Sequence, residues 1–126
     1  MVNWKVFFTG FLVLFIDRIT KNIFFEDSVR NYGAAFSLLQ GLNVLFIIVA
    51  IAVICLIIYY SNKIRNVNIQ IAMGFVLGGA LSNMIDRVIY GGVIDFIKIG
   101  IMPVFNLADV FNVIGGLTII YYLWRK

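Results

Sequence analysis

The sequence predicts an all-α membrane protein, a bundle of four transmembrane helices, and three observations carry that prediction. Of its 126 residues, 63% are hydrophobic and 13% charged, with a mean hydropathy of +1.03, too apolar for a water-soluble domain. The apolar residues gather into four runs, about 4–20, 42–60, 69–90 and 106–124. Each is near the ~20 residues that cross a hydrocarbon core of ~30 Å at ~1.5 Å per residue. All six carboxylates, Asp17, Glu26, Asp27, Asp86, Asp95 and Asp109, fall at one end of these runs. Acids are costly within a bilayer and are mostly found there for function, so acids gathered at one level mark a functional layer.

The first run closes on Asp17, Arg18 and Lys21 and lacks a small-residue cleavage site, so it reads as a retained helix and not as a signal peptide. Trp4, Tyr59, Tyr60, Tyr121, Tyr122 and Trp124 stand at run ends, where amphipathic rings anchor at the interface. Short connections make the helices alternate, so the 61–68 connection shares a face with both termini. That face carries Lys5, Lys63, Arg65, Arg125 and Lys126 and no acid. The other carries the acids together with Arg18, Lys21, Arg30, Arg87 and Lys98. The basic residues divide evenly, and the acids adjoining Arg18 and Arg87 favour both termini in the cytoplasm. Between the first two runs, 29–37 partly alternates and contains Gly33, which predicts an extended strip or hairpin on the membrane surface.

The length allows one domain, 1–126. The net charge of +4 is scattered over short connections, which suits an anionic bilayer surface and not nucleic acid. A single cysteine, Cys55, excludes an internal disulfide. The chain has no histidine, which excludes a His-based triad and a typical zinc site. Nothing in it signals a metal or cofactor, and nothing requires more than a monomer.

The polar residues of the third run form two series at four-residue spacing. Gly74, Gly78 and Ser82 read as a small-residue packing surface. Gly79, Asn83 and Arg87, with Asp86, bring polar groups down one helix wall. Arg87 is permanently charged and needs an acceptor, a carboxylate or a substrate carbonyl. Asp17 and Lys21, four apart with the acid first, read as a structural ion pair, and Asp86 as a partner for a basic residue or a cap. Asp95 follows Gly91 and Gly92, which end the third run. Asp109 follows Asn106 at capping-box spacing, and taken alone it reads equally well as a helix cap. The connection between Asp95 and Asp109 is short enough to bring the two acids together. Two carboxyl groups in contact share a proton near neutrality, the arrangement of an acid–base pair that hydrolyses peptides.

These residues resemble lipoprotein signal peptidase (signal peptidase II), a family of bacterial membrane aspartic proteases. The resemblance lies in Asp17-Arg-Ile-Thr-Lys21, Asn31-Tyr-Gly-Ala-Ala-Phe-Ser37, Gly79-Ala-Leu-Ser-Asn83-Met-Ile-Asp86-Arg87, Val93-Ile-Asp95-Phe96 and Phe105-Asn-Leu-Ala-Asp109. It implies four transmembrane helices in the bacterial cytoplasmic membrane, both termini cytoplasmic, and a small extracytoplasmic β-cradle. It also implies cleavage of prolipoproteins just before a diacylglyceryl-modified cysteine. Membrane lipids and the lipid-modified prolipoprotein are the implied partners. By motif position, Asp95 and Asp109 correspond to the catalytic pair. Asn31, Asn83, Arg87 and Asn106 correspond to the pocket that binds substrate and the antibiotic globomycin. Asp17, Lys21, Gly79 and Asp86 correspond to supporting residues. Two departures stand out: Ser82 replaces a usual glycine, and the 21–31 and 95–106 segments are short, which predicts a trimmed cradle.

Three other readings compete. A serine–lysine peptidase would draw on Ser28, Ser37 or Ser82 with Lys21 or Lys98. A small channel would spread its charges through the membrane thickness. A structural subunit would use Asp109 only as a cap.

Overall fold

The computed structural model describes residues 3–33 and 41–126. It contains four helices, α1 (Trp4–Ile23), α2 (Asn43–Ser61), α3 (Val67–Tyr90) and α4 (Leu107–Trp124), and two short strands, β1 (Val29–Asn31) and β2 (Val93–Asp95). Three of these helices, α1, α3 and α4, begin where a side chain satisfies orphan amides. Asn3 caps α1 and also donates to the Ser61 carbonyl at 2.7 Å. Asn66 caps α3, and Asn106 caps α4 in a full capping box with Asp109. α3 stops at Gly91, whose φ of 73° is left-handed and open to glycine at little cost. α1 runs past its expected end at Thr20 to Ile23, because the Asp17–Lys21 pair closes across one further helical turn.

α3 is the central helix, with α1 and α4 against its two flanks and α2 alongside. The glycines of α3 set that closeness. A Cβ on Gly74 would lie 2.5 Å from Thr9 Cβ, and one on Gly78 would lie 2.7 Å from Val13 Cβ. On the other flank, a Cβ on Gly79 would lie 2.7 Å from the Ala108 carbonyl of α4. The expected small-residue surface is therefore the α1 contact. Gly78→Val should destabilise the protein by at least ~1–3 kcal/mol, whereas Gly116, with nothing within 4 Å, should accept valine freely. Thermal unfolding in detergent checks this, and equal midpoints for the two variants would refute the close packing.

The apolar core, Val6, Ile57, Ile69, Met73 and Leu77, occupies the end of the bundle that holds the termini. α1 is inside-out by soluble standards. Its buried stripe is Val6, Gly10, Val13, Asp17 and Lys21, while Phe8, Phe11, Phe15 and Ile19 face outward. Such an outward apolar surface matches lipid as solvent. Among the described residues three helices, α2, α3 and α4, are long and apolar enough to cross a membrane. The sequence predicts four crossings. α1 is as long at 20 residues, but Lys5, Asp17, Arg18 and Lys21 give it more charge than the other three.

The strip at 29–37 is not a hairpin among the described residues. β1 pairs antiparallel with β2, from the connection between α3 and α4, with Val29 opposite Asp95, Arg30 opposite Ile94 and Asn31 opposite Val93. An isolated bridge between Ile97 and Phe105 closes the base of the same connection. Among the described residues the sheet consists of these two three-residue strands. The remainder of the strip, including Phe36 and Ser37, lies outside the described residues.

Candidate active site

The acid-bearing end of the bundle is built in two linked layers. The first is an ion cluster between α1 and α3. Lys21 is 1% exposed, and its ammonium lies 2.7 Å from both Asp17 and Asp86, which are completely buried. Arg18 pairs with the other oxygen of Asp86. Two cations thus match two anions, which is what allows charge to stay ionised away from water. The spare carboxylate capacity orders the backbone. Asp17 accepts from the Ala108 amide at 2.8 Å, fixing the first turn of α4, and Asp86 accepts from the Ile94 amide at 3.1 Å, fixing β2. Ser82 donates its hydroxyl to Asp17. Asp17 and Asp86, held by Lys21, thus fix the two segments that carry Asp95 and Asp109. Gly79 supports the same end by letting α4 approach α3 closely.

Asn83 joins this cluster to the second layer. Its carbonyl oxygen accepts from Lys21 at 2.9 Å and from Asn106 at 3.1 Å, while its amide donates to Asp109 at 3.0 Å. Asn106, 0% exposed, is the hub. Its amide nitrogen donates to Asp95 at 2.9 Å and to the Ile94 carbonyl at 3.2 Å, and its oxygen caps the Asp109 amide at 2.9 Å. The second Asp109 oxygen accepts from the Asn106 amide at 3.1 Å. Asn106 thus contacts both acids at once, as the helix cap of Asp109 and as a donor to Asp95. Every polar atom of the Asn106 side chain is engaged within the protein, so in this structure it holds the two acids in place.

Asp95 is 2% exposed, on a strand face it shares with Asn31. The two are diagonal neighbours across the β1–β2 pair, and Asn31 hydrogen-bonds the Asp95 carboxylate. Burial holds the Asp95 carboxyl far above the usual carboxylate range, at about 7, and the neighbouring Asp109 charge adds to the rise. Hydrogen bonds from Asn31 and Asn106 and the charge of Lys21 oppose it.

Arg87 finds its acceptor inside the chain. Its guanidinium donates to the Gly33 carbonyl at 2.7 Å and to Asn43 at 3.4 Å, and lies 4.6 Å from the centre of the Phe46 ring. Asn43 in turn donates to the Arg87 carbonyl at 3.1 Å. Arg87 therefore ties the strip after β1 to the start of α2. Sequence reasoning passed over Asn43, Phe46 and the Arg18–Asp86 pair. An asparagine opening an apolar run was the available signal for the first.

The serine–lysine alternative finds no support in these contacts. Lys21 is held between two carboxylates, Ser82 donates to one of them, and Ser28 donates to the Phe25 carbonyl at 2.6 Å. Lys98 is exposed, and Ser37 lies outside the described residues. Among the described residues no group of three or more Asp, Glu, Cys or His side chains is placed to hold a metal ion.

Comparison with known proteins agrees with this geometry. Residues 8–125 match the family described as Signal peptidase (SPase) II. The chain is 42% identical to a protein of Halothermothrix orenii named lipoprotein signal peptidase, over 86% of this chain and 75% of that one. It is 36% identical to the protein of the same name from Caldicellulosiruptor bescii, over 100% and 92% of the two chains. A solved bacterial membrane enzyme superposes with a TM-score of 0.87 at 31% identity, over 99% of this chain and 93% of its own. With nearly its whole length matched by a single family, the chain belongs to the signal peptidase II family of membrane proteases.

Proposed function

We propose that this protein is an aspartic endopeptidase that removes the signal peptide from lipid-modified prolipoproteins, cutting just before the lipidated cysteine, with Asp95 and Asp109 as its catalytic pair. The observation that carries this reading is Asn106, whose side chain donates to the buried Asp95 carboxyl group on β2 and whose backbone amide donates to the half-buried Asp109 carboxyl group on α4. The names of the relatives supply the substrate class.

In the proposed reaction, Asp95 holds the shared proton and Asp109 is the ionised partner, served by two hydrogen-bond donors at the N-terminus of α4. Asp109 takes a proton from a water molecule as the water oxygen bonds to the scissile carbonyl carbon. Asp95 gives its proton to the carbonyl oxygen. When the tetrahedral diol collapses, Asp95 takes a hydroxyl proton back and Asp109 passes its own to the departing nitrogen as the C–N bond breaks. Asn31, Asn83 and Arg87 line the approach to the pair and bind the substrate backbone, with Asn106 behind them. Arg87 exchanges the Gly33 carbonyl for a substrate carbonyl of the same kind. All four helices cross the membrane as one domain, both termini on the cytoplasmic side and the acids near the extracytoplasmic face. A monomer suffices, since both acids lie on one chain.

Purified protein cleaving a diacylglyceryl-modified prolipoprotein tests this reading. The rate should fall as pH rises through about 7, where Asp95 loses the proton it must donate, roughly tenfold per pH unit beyond that. A rate flat from about pH 6 to about pH 9, with chemistry rate-limiting, would contradict a shared proton. Arg87→Ala should weaken binding of substrate and of globomycin, since a hydrogen bond to a charged group is worth ~1.5–3 kcal/mol. Unchanged inhibitor affinity would make Arg87 a purely internal tie. The capping box favours a second reading, in which Asp109 serves only as a helix cap, and substitution of Asp109 separates the two.

A further inference from the structure

At the opposite end of the bundle, α3 and α4 leave a groove of about 250 Å³ that the proteolytic reading does not use. Ile71, Ala72, Phe75 and Thr118 line it, and Asn68 and Tyr122 stand at its mouth, joined by a 2.6 Å hydrogen bond from the Asn68 amide to the Tyr122 hydroxyl. The mouth lies at interface level, because Trp4, Tyr59, Tyr60, Tyr121 and Trp124 form an exposed aromatic girdle at the same helix ends.

The charge around this mouth has one sign. Arg65 comes just before α3 and Arg125 just after α4, each three residues from a mouth residue. The N-terminus of α3 adds the positive end of its dipole. Lys5, Lys63, Arg65, Arg125 and Lys126 share this end with no acidic side chain. At the acid end, by contrast, Arg18 and Lys21 are neutralised by Asp17 and Asp86. A zwitterionic headgroup would bring an ammonium group for which this end offers no acidic side chain.

We propose that the groove binds an anionic phospholipid, with the phosphate held by Arg65 and by Arg125, which here donates to the exposed Tyr121 hydroxyl at 3.1 Å, and one acyl chain lying along Ile71, Ala72 and Phe75. Such a site goes beyond the peptidase activity and would anchor the end of α3 remote from the acids. Native mass spectrometry of the detergent-purified protein tests it, with dioleoylphosphatidylglycerol and dioleoylphosphatidylcholine titrated separately. The expected result is a preference of roughly tenfold or more for the anionic lipid. That preference should be lost in an Arg65→Gln/Arg125→Gln double variant, while Thr118→Phe, which fills the groove, should weaken binding of both lipids. Equal binding of the two lipids, an anionic preference that survives the double substitution, or undiminished binding by Thr118→Phe would each overturn the site. All three substituted positions lie far from the acids and both variants should keep wild-type cleavage, so lost lipid binding with retained cleavage is distinguishable from a failed fold. The lipid readout also stands whether or not the proteolytic assignment does.

Discussion

Asp95→Asn and Asp109→Asn should each bring prolipoprotein cleavage down by at least ~10²–10⁴-fold, the range expected when a positioned acid or base is lost. Asparagine keeps the size of the side chain and one acceptor oxygen, so the Asn106 contacts that organise the site have a partner in both variants. A small structural change with a large rate loss is the signature of a proton carrier. Single-turnover cleavage, with globomycin binding as a check on the fold, distinguishes the roles. If either variant cleaves at more than about a tenth of the wild-type rate, that aspartate is outside the chemistry. For Asp109 that outcome would leave it a helix cap.

The second large effect should fall on stability. Lys21→Met removes the cation shared by Asp17 and Asp86 while filling much of its volume. Asp86 retains Arg18, but Asp17 is left as a completely buried charge with only hydrogen-bond donors around it. Breaking a buried pair in this way typically costs ~3–5 kcal/mol. The variant should unfold at a distinctly lower temperature, and Asp17→Asn in the same chain should recover part of the loss by removing the stranded charge. A double variant less stable than Lys21→Met alone would show that the carboxylate's hydrogen bonds to Ser82 and Ala108 outweigh its charge.

Much of this architecture is legible in the chain because hydrophobic length and capping are local signals. The helix ends at Tyr90 and Trp124 follow from the apolar runs, and Asn106 with Asp109 reads as a capping box from spacing alone. The gathering of the acids at one end follows from helix alternation. What is not legible depends on distant pairing. β1 and β2 are three residues each and lie in different connections, so neither has enough alternation to announce a partner. That pairing is nevertheless what puts Asn31 beside Asp95. The Asp17–Lys21 pair is visible at i,i+4, but the addition of Asp86 and Arg18 depends on how α1 meets α3. Arg87 shows its need for an acceptor in the sequence, and only the fold reveals that Gly33 supplies one.

The Asn106 capping box has a consequence for how such a site can change over time. Asp109 accepts two hydrogen bonds, from the Asn106 amide and the Asn83 side chain, and asparagine has only one acceptor oxygen to offer them. Replacing Asp109 therefore weakens the start of α4 as well as the proposed chemistry. Asp95 also accepts from two side chains, Asn31 and Asn106, and burial works against its charge. With its carboxyl group raised to about 7, the folded state favours its protonated form. That contribution to stability is complete below the ordinary carboxylate range and is lost as pH rises through about 7. Above neutrality, Asp95→Asn should make the protein more heat-resistant even as it silences it. Selection for robustness alone would then favour asparagine at position 95, and the proposed reaction is what would keep an acid on the strand.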